Sequence, residues 1–302
     1  MSLLKMATAQ DVSIDGGEEQ PHQVIVPTSG WSALNLGQVW LYRDLLFTLA
    51  QRDVKLRYRQ TALGAVWVVL QPLLAAGVFS LVFGALAGFS EAGVPAIVFS
   101  FAGLLGWNIF SSTLNKVSGV LIQNSQLISK VYFPRLVLPL STVYSTVIDF
   151  CVSAVMMVLL MLVFHIWPGW GILLLPVWIC LILMMSVGIG LFAAALTVSY
   201  RDVQYVIPVM MNLLLYASPV AYSLSTVMER LDKNLPQYAD IARIFFMANP
   251  LSGLLEAFRI SLLGNAPMPW GLILYSSIVS ILVFLGGAFS FKKMERKFAD
   301  VI

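Results

Sequence analysis

The chain has 302 residues, of which 59% are hydrophobic and only 11% charged. A soluble domain of this length carries about a quarter charged residues, so the composition excludes a large soluble core and indicates a multi-span membrane protein. The net charge of +3 is too small to argue for nucleic acid as a partner.

Residues 1–30 hold Asp11, Asp15, Glu18, Glu19, three glycines and two prolines, and cannot bury enough apolar surface to fold alone. They read as a flexible cytoplasmic tail, and the lack of an apolar core behind a basic start gives no sign of a cleaved signal peptide. Residues 36–58 predict a helix lying on the membrane. At 100° per residue, Val39, Tyr42, Leu45, Leu46, Leu49, Ala50 and Leu56 share one side, and Asp44, Thr48, Gln51, Arg52, Lys55 and Arg59 face away. Packing on another protein is the alternative, and the two are compatible. Asp53 and Arg57 interrupt the stripe, so the helix is expected to bend or end before them.

Arg52, Lys55, Arg57 and Arg59 crowd the approach to a charge-free run over 60–90. A cationic collar on a long apolar run marks the cytoplasmic mouth of a span. About 20 apolar residues cross a bilayer, and the charge-free stretches predict six spans, near 62–86, 96–118, 140–164, 172–198, 204–223 and 270–291. Pro72 falls inside the first and is expected to kink it, freeing a carbonyl for a neighbour to satisfy. The turn His165-Ile166-Trp167-Pro168-Gly169-Trp170-Gly171 separates the third and fourth. Lysines and arginines divide 14 to four between the two sides, counted from the sequence, with both termini on the richer side. The positive-inside rule places that side in the cytoplasm. Cys151 and Cys180 lie in apolar runs, offer neither a disulfide framework nor a metal spacing, and read as small buried hydrophobes.

Residues 121–135 form a cytoplasmic segment in which Leu121, Ile122, Ser125, Ile128 and Ser129 recur at helical spacing, and Phe133-Pro134-Arg135 ends it. The pattern predicts a short amphipathic helix parallel to the membrane, with an ordinary loop as the alternative. Residues 224–264 are polar around Glu229–Lys233 and then apolar in two half-span pieces broken at Asn249-Pro250. They predict short outer helices, either re-entrant or lying on the surface, with Glu256 and Arg259 spaced to pair. Asp149 is an acid inside a span, a position that costs about 2.5–3.5 kcal/mol on insertion scales and asks for a partner or a pathway. Its two readings are an ion relay and a structural hydrogen bond that fixes helix packing; the second is favoured because His165 is the only further ionisable group noted near a span. There is no phosphate-binding loop of the G-x-x-x-x-G-K-[ST] type, no H-E-x-x-H and no Ser/His/Asp set. No catalytic residue and no metal site is expected.

Six stretches taken together carry a resemblance. They are R-D-V-K-L-R-Y-R-Q-T-A-L-G-A-V-W-V-V-L-Q-P at 52–72, F-A-G-L-L-G-W-N-I-F-S-S at 101–112, N-S-Q-L-I-S-K-V-Y-F-P-R at 124–135, Y-R-D-V at 200–203, S-P-V at 218–220 and N-P-L-S-G at 249–253. As a set, covering roughly 38–302, the chain resembles the type-2 ABC exporter permeases of the polysaccharide class, which export O-antigen, capsule or teichoic acid on a lipid carrier. The resemblance implies an all-α integral membrane fold with six transmembrane helices per subunit, an interfacial helix, a cytoplasmic coupling helix and outer re-entrant helices. It implies a homodimer in the bacterial inner membrane served by two separate ATP-binding-cassette ATPase subunits, which would bind the ATP and magnesium; this chain would carry no cofactor. Gln123, Asn124, Ser125, Lys130, Phe133 and Arg135 would couple to the ATPase. Arg52, Lys55, Arg57 and Arg59 would draw the headgroup of a lipid-linked glycan, with topology and anionic-lipid contact as the alternative role. Spans one and five would line the channel, with Trp67, Phe79, Tyr216 and Tyr222 as lining candidates because aromatic faces suit sugar rings. A type-2 permease for drugs or small lipids is the alternative, expected to have a more apolar path. A lipid-linked sugar transferase would need clustered catalytic residues in the cytoplasmic loops, where Asp53 and Asp202 stand alone. The six stretches leave the glycan unidentified, with O-antigen preferred.

Overall fold

A computed structural model of the chain describes residues 36–58, 66–86, 93–234, 236–264 and 266–295. The tail expected over 1–30, Arg59, the side chain of Arg57 and the C-terminus beyond Glu295 lie outside these residues.

Every regular element among the described residues is helical. Near the start, α1 (Leu36–Leu41) and α2 (Arg43–Tyr58) are separated at Tyr42, and α3 (Val66–Phe79) runs into a π-helical segment, Ser80–Leu86. Next come α4 (Ala96–Gln123), the short α5 (Ser125–Lys130) and α6 (Val137–Val163). A 3-10 turn, Trp170–Leu174, leads into α7 (Leu175–Ser199), followed by α8 (Val203–Ala217). The last four are α9 (Leu224–Asn234), α10 (Pro236–Ala248), α11 (Pro250–Leu263) and α12 (Trp270–Met294).

Among the described residues, five helices are long and apolar enough to cross a bilayer: Val66–Ala85, Ala96–Gln123, Val137–Val163, Trp170–Ser199 and Trp270–Met294. The chain is a multi-pass membrane protein. The helices α10 and α11 meet at 81° and together are apolar enough for either a broken sixth span or a re-entrant loop.

The span expected over 204–223 is shorter than its apolar run. At 15 residues, α8 reaches about 22 Å at 1.5 Å per residue, less than the roughly 30 Å hydrocarbon core. It stops because Ser218 precedes Pro219 and is pushed to an extended conformation, φ −108° and ψ 150°. The helix expected over 121–135 is also divided. Leu121 to Gln123 complete α4, Asn124 breaks the helix, and α5 covers only Ser125–Lys130.

The bundle is built around α4, whose side chains are buried from Val98 to Leu121 with few breaks. It packs against α7, α6, α3, α11 and α8. At the crossing of α7 with α12 the backbones touch: a Cβ on Gly287 would sit 1.9 Å from the Gly188 carbonyl oxygen. Small residues at such crossings let membrane helices approach closely.

The apolar stripe of α2 faces the bundle and packs on α6. Leu49 and Ala50 are buried, and Tyr42, Leu45 and Leu46 lie against the same core cluster as Leu138. Leu56 departs from the expected stripe and is exposed. The helix does not stop at Asp53, and it continues to Tyr58 with its last turns off the core. Cys151 and Cys180, expected to be buried, are both on the surface of the subunit. They sit on spanning helices, where lipid is as apolar a surrounding as a core.

Candidate functional site

Three constellations stand out, one at each end of the bundle and one inside it. The interior one begins with a proline. Pro72 in α3 has no N–H for the carbonyl of Val68, four residues back. Ser153 Oγ of α6 donates to that carbonyl at 3.3 Å, so a neighbouring helix satisfies the freed group.

Beside this contact lies a cavity of about 430 Å³ between α3, α4, α6 and α8, within the size range of small-molecule sites. Nine of the twenty described lining residues are polar. Gln71 comes from α3; Asn108, Ser111, Ser112 and Asn115 from α4; Thr146, Asp149 and Ser153 from α6; Asn212 from α8. The helices α3, α4, α6, α7, α8 and α12 carry six carboxamide side chains in all. Four line this cavity, and the other two, Gln123 and Gln204, sit at helix ends. The side chains of Gln71, Asn108 and Asn212 take no hydrogen bond among the described residues, whereas Asn115 Nδ2 donates to the Ser111 carbonyl at 2.8 Å.

Asp149 is held by Lys116 of α4, whose Nζ lies 2.9 Å from Oδ2. The same ammonium donates to Ser145 Oγ at 3.0 Å and Thr146 Oγ1 at 3.2 Å. Its three protons therefore meet three acceptors. The two hydroxyls pass their own protons to the Thr142 carbonyl, at 2.9 and 3.3 Å. A charged pair withdrawn from water is tolerated when geometry and hydrogen bonds are complete in this way. The pair ties α4 to α6, as a structural role for Asp149 requires, and adds Lys116 as the second intramembrane charge. Sequence reading had counted Lys116 with the loop cations, and nothing in a 33-residue separation signals the contact.

At the end of the bundle that carries α2 and α5, Arg52 of α2 donates to Asp53 Oδ1 through Nε at 3.1 Å and Nη2 at 2.9 Å, and from Nη2 to Asn124 Oδ1 at 2.9 Å. Asn124 also donates to the Val120 carbonyl at 2.9 Å. One collar residue thus grips the joint between α4 and α5, while Lys55 is exposed. Of the six expected coupling residues, Gln123 and Lys130 are exposed, and Asn124 and Ser125 are half-buried. Phe133 is buried at 5% exposure in the cluster with Leu136 and Val137, and Arg135 donates to the Glu295 carbonyl at the end of α12. These two side chains anchor the segment. The surface they leave uppermost is Lys130, Val131 and Tyr132, the last two unforeseen as contact residues and both exposed.

At the other end, the irregular run Ser218–Ser223 after α8 is fastened by Arg259 of α11, only 1% exposed. Its Nη1 donates to the carbonyls of Pro219 at 2.9 Å and Tyr222 at 3.2 Å, and Nη2 to the Glu256 carboxylate. The guanidinium also lies 4.1 Å over the Phe99 ring. Asn249 caps α11 by accepting from the Leu251 N–H at 3.1 Å and donates to Ser218 Oγ at 3.0 Å. Gly103 of α4 makes room, since a Cβ there would fall 1.8 Å from the Val220 carbonyl oxygen.

Three of the four lining candidates join one aromatic string. Phe79 meets Tyr216 at 6.4 Å and Phe83 at 5.7 Å; Phe83 meets Tyr222 at 5.9 Å; Tyr222 meets Phe246 at 6.2 Å. The Tyr222 hydroxyl donates to the Tyr216 carbonyl at 3.0 Å. Trp67 lies a helix length away at the start of α3, exposed.

Residues 44–263 match the family model described as ABC-2 type transporter. The chain is 29% identical over 266 residues to the O-antigen export system permease protein RfbA of Myxococcus xanthus, covering 88% of this chain and 98% of that protein. It is 26% identical to an RfbA of the same description from Klebsiella pneumoniae, over 89% of this chain and 97% of the relative. The polysialic acid transport protein KpsM of Escherichia coli is 25% identical over 183 residues, 58% of this chain and 69% of that protein. With more than two thirds of its length inside the family match, this chain belongs to the ABC-2 type transporter family.

Proposed function

We propose that this chain is the membrane-spanning permease subunit of a polysaccharide exporter, with lipid-linked O-antigen as the preferred cargo. The observation that carries the reading is the end-to-end correspondence with permeases named for O-antigen export, which leaves almost none of their length unmatched. The cavity supports it. A drug or small-lipid permease calls for an apolar path, and this bundle instead gathers four carboxamides and several hydroxyls inside the membrane.

In this reading two copies work with two separate ATP-binding-cassette ATPase subunits in the bacterial inner membrane, both termini facing the cytoplasm. The ATPase subunits bind ATP and magnesium and hydrolyse the nucleotide; this chain needs no cofactor and catalyses no reaction. The α5 segment, with Gln123, Lys130, Val131 and Tyr132 uppermost, rests on the ATPase. Movement there reaches α2 through the Arg52–Asn124 bond and α12 through Arg135. The collar of Arg52, Lys55, Arg57 and Arg59 draws the anionic headgroup of the carrier lipid to the cytoplasmic interface. The glycan then passes outward along α3 and α8, past Trp67, Phe79, Tyr216 and Tyr222.

The test is to purify the chain with its ATPase, reconstitute both in liposomes, and measure ATP hydrolysis with a lipid-linked O-antigen precursor or with small amphiphiles. Stimulation by the glycolipid is expected. Stimulation by small amphiphiles alone would overturn the reading.

A further inference from the structure

The central helix of the bundle is not apolar all round. Most of α4 from Val98 to Leu121 is buried, but Asn108, Ser111, Ser112 and Asn115 are each half-buried, and all four line the cavity between α3, α4, α6 and α8. Their spacing of i, i+3, i+4 and i+7 puts them on one face of the helix. At 1.5 Å per residue the stripe runs about 10 Å along it. Asn115 Nδ2 is spent on the Ser111 carbonyl, whereas the side chains of Asn108, Ser111 and Ser112 take no hydrogen bond among the described residues.

The cavity is open on one side. Gln71 of α3 and Asn212 of α8 line it and are exposed. Gln71 interrupts an outward face that carries Leu74 and Val78, and Asn212 one that carries Val209 and Tyr216, all four exposed. Polar side chains within spans face protein or a water-filled path rather than lipid, and mark routes for cargo. The same wall carries Phe150, Met211 and Leu215. A sugar ring has the matching character, apolar on its faces and hydroxylated at its rim. A carboxamide or a serine hydroxyl both donates and accepts, as a sugar hydroxyl does. In a space shared with water each such bond has a small net worth. Several weak contacts suit a chain that has to enter, be held and leave.

The geometry points to the stripe on α4 as a surface that touches the cargo: Asn108, Ser111 and Ser112, framed by Gln71 and Asn212, take the hydroxyl rim of a saccharide segment lying in the opening between α3 and α8. This assignment rests on the polysaccharide-export reading and deepens it, because it adds α4 as a third wall to the path along α3 and α8. Recognition is of paired donors and acceptors. A polyether of the same length, which can only accept, lacks half of what the stripe reads.

The experiment uses the full chain with its ATPase, Cys151 and Cys180 changed to Ala, and Ser112→Cys as a reporter on the stripe. Labelling of that thiol by a small neutral methanethiosulfonate is timed with maltoheptaose or with polyethylene glycol of matched length. At about ten times its dissociation constant, maltoheptaose is expected to slow labelling about tenfold by occupancy, and the polyether to have far less effect at the same concentration. Adding Asn108→Leu should raise the half-protecting concentration of maltoheptaose about fivefold, the worth of one neutral hydrogen bond. Gln71→Met serves the same purpose if the leucine variant inserts poorly. A thiol at position 112 that does not label would overturn the open stripe. Labelling without protection by maltoheptaose would reduce the stripe to a hydrated lining beside Lys116 and Asp149 and overturn the cargo contact, even where glycolipid still stimulates the ATPase. Equal protection by the polyether would overturn recognition of hydroxyls. Protection by maltoheptaose without stimulation by glycolipid would instead sink the export reading and leave the saccharide contact standing.

Discussion

Changing Lys116 to Met removes the ammonium that lies 2.9 Å from Asp149 Oδ2. Removing one member of a buried ion pair costs about 3–5 kcal/mol, because the other charge keeps its desolvation and loses its compensation. Here Asp149 is 13% exposed and borders the cavity, so water reaches part of the carboxylate. That places the expected loss at the low end, about 3 kcal/mol, for Lys116→Met. Asp149→Leu should cost a similar amount by removing the carboxylate from the ammonium, which keeps Ser145 and Thr146 as acceptors. The double variant replaces the pair by apolar groups and is expected within about 1 kcal/mol of the parent. The cycle then gives a coupling energy of about 5 kcal/mol, the two single losses less that of the double variant. The assay is reversible unfolding of the purified chain in mixed micelles of increasing dodecyl sulfate fraction, followed by tryptophan fluorescence. Additive losses, with a coupling below about 0.5 kcal/mol, would refute the claim that these two charges hold α4 to α6.

Three further outcomes can be measured the same way or in the reconstituted exporter. Ser153→Ala leaves the Val68 carbonyl without its donor and should cost about 1–2 kcal/mol in the micelle titration; no loss would mean the kink at Pro72 is satisfied otherwise. Gly103→Ala drives a Cβ against the Val220 carbonyl and should destabilise by about 1–3 kcal/mol or more, read as a lower unfolding midpoint; an unchanged midpoint would show that Ser218–Ser223 is not pinned against α4. Lys130→Ala, on an exposed side chain, should leave stability within about 0.5 kcal/mol while weakening ATPase stimulation by glycolipid; Arg135→Ala should lower both, because it also releases the end of α12.

The helical, membrane-spanning nature of the chain was legible because charge-free runs of bilayer length are hard to mistake, and the junction of α6 with α7 falls at the His165–Gly171 turn rather than at any flanking charge. Sequence reading lost ground where tertiary contacts decide. The end of α8 at Ala217 could have been read from Ser218-Pro219, but hydropathy continues through Val220, Ala221 and Tyr222 and concealed it. Phe133 and Arg135 looked like contact residues because they sit in a coherent motif, and only packing shows that they face inward. The cavity left a signal that went unused. Carboxamides are costly in hydrocarbon, and Asn108 and Asn115 sit well inside α4, while Asn212 lies within α8 five residues before its end. Together with Gln71 they marked an internal polar space before any coordinates. That Lys116 meets Asp149, or that Arg259 reaches back to the carbonyls of Pro219, Val220 and Tyr222, has no local signature.

The fastening of Ser218–Ser223 bears on how the molecule can move. Arg259, Glu256, Asn249 and Gly103 together leave the Ala217 end of α8 no freedom to slide against α11 or α4 without first breaking charged contacts in a dry setting. The Ala217 end of α8 is therefore a pivot rather than a gate leaf. A swing of this helix has its free end at Tyr200–Asp202, the short turn joining it to α7. Pro208, which lines the cavity from within α8, lies between that free end and the pivot. A small rotation admitted at that free end would thus be converted into a change in cavity width, while the run Ser218–Ser223 keeps its place.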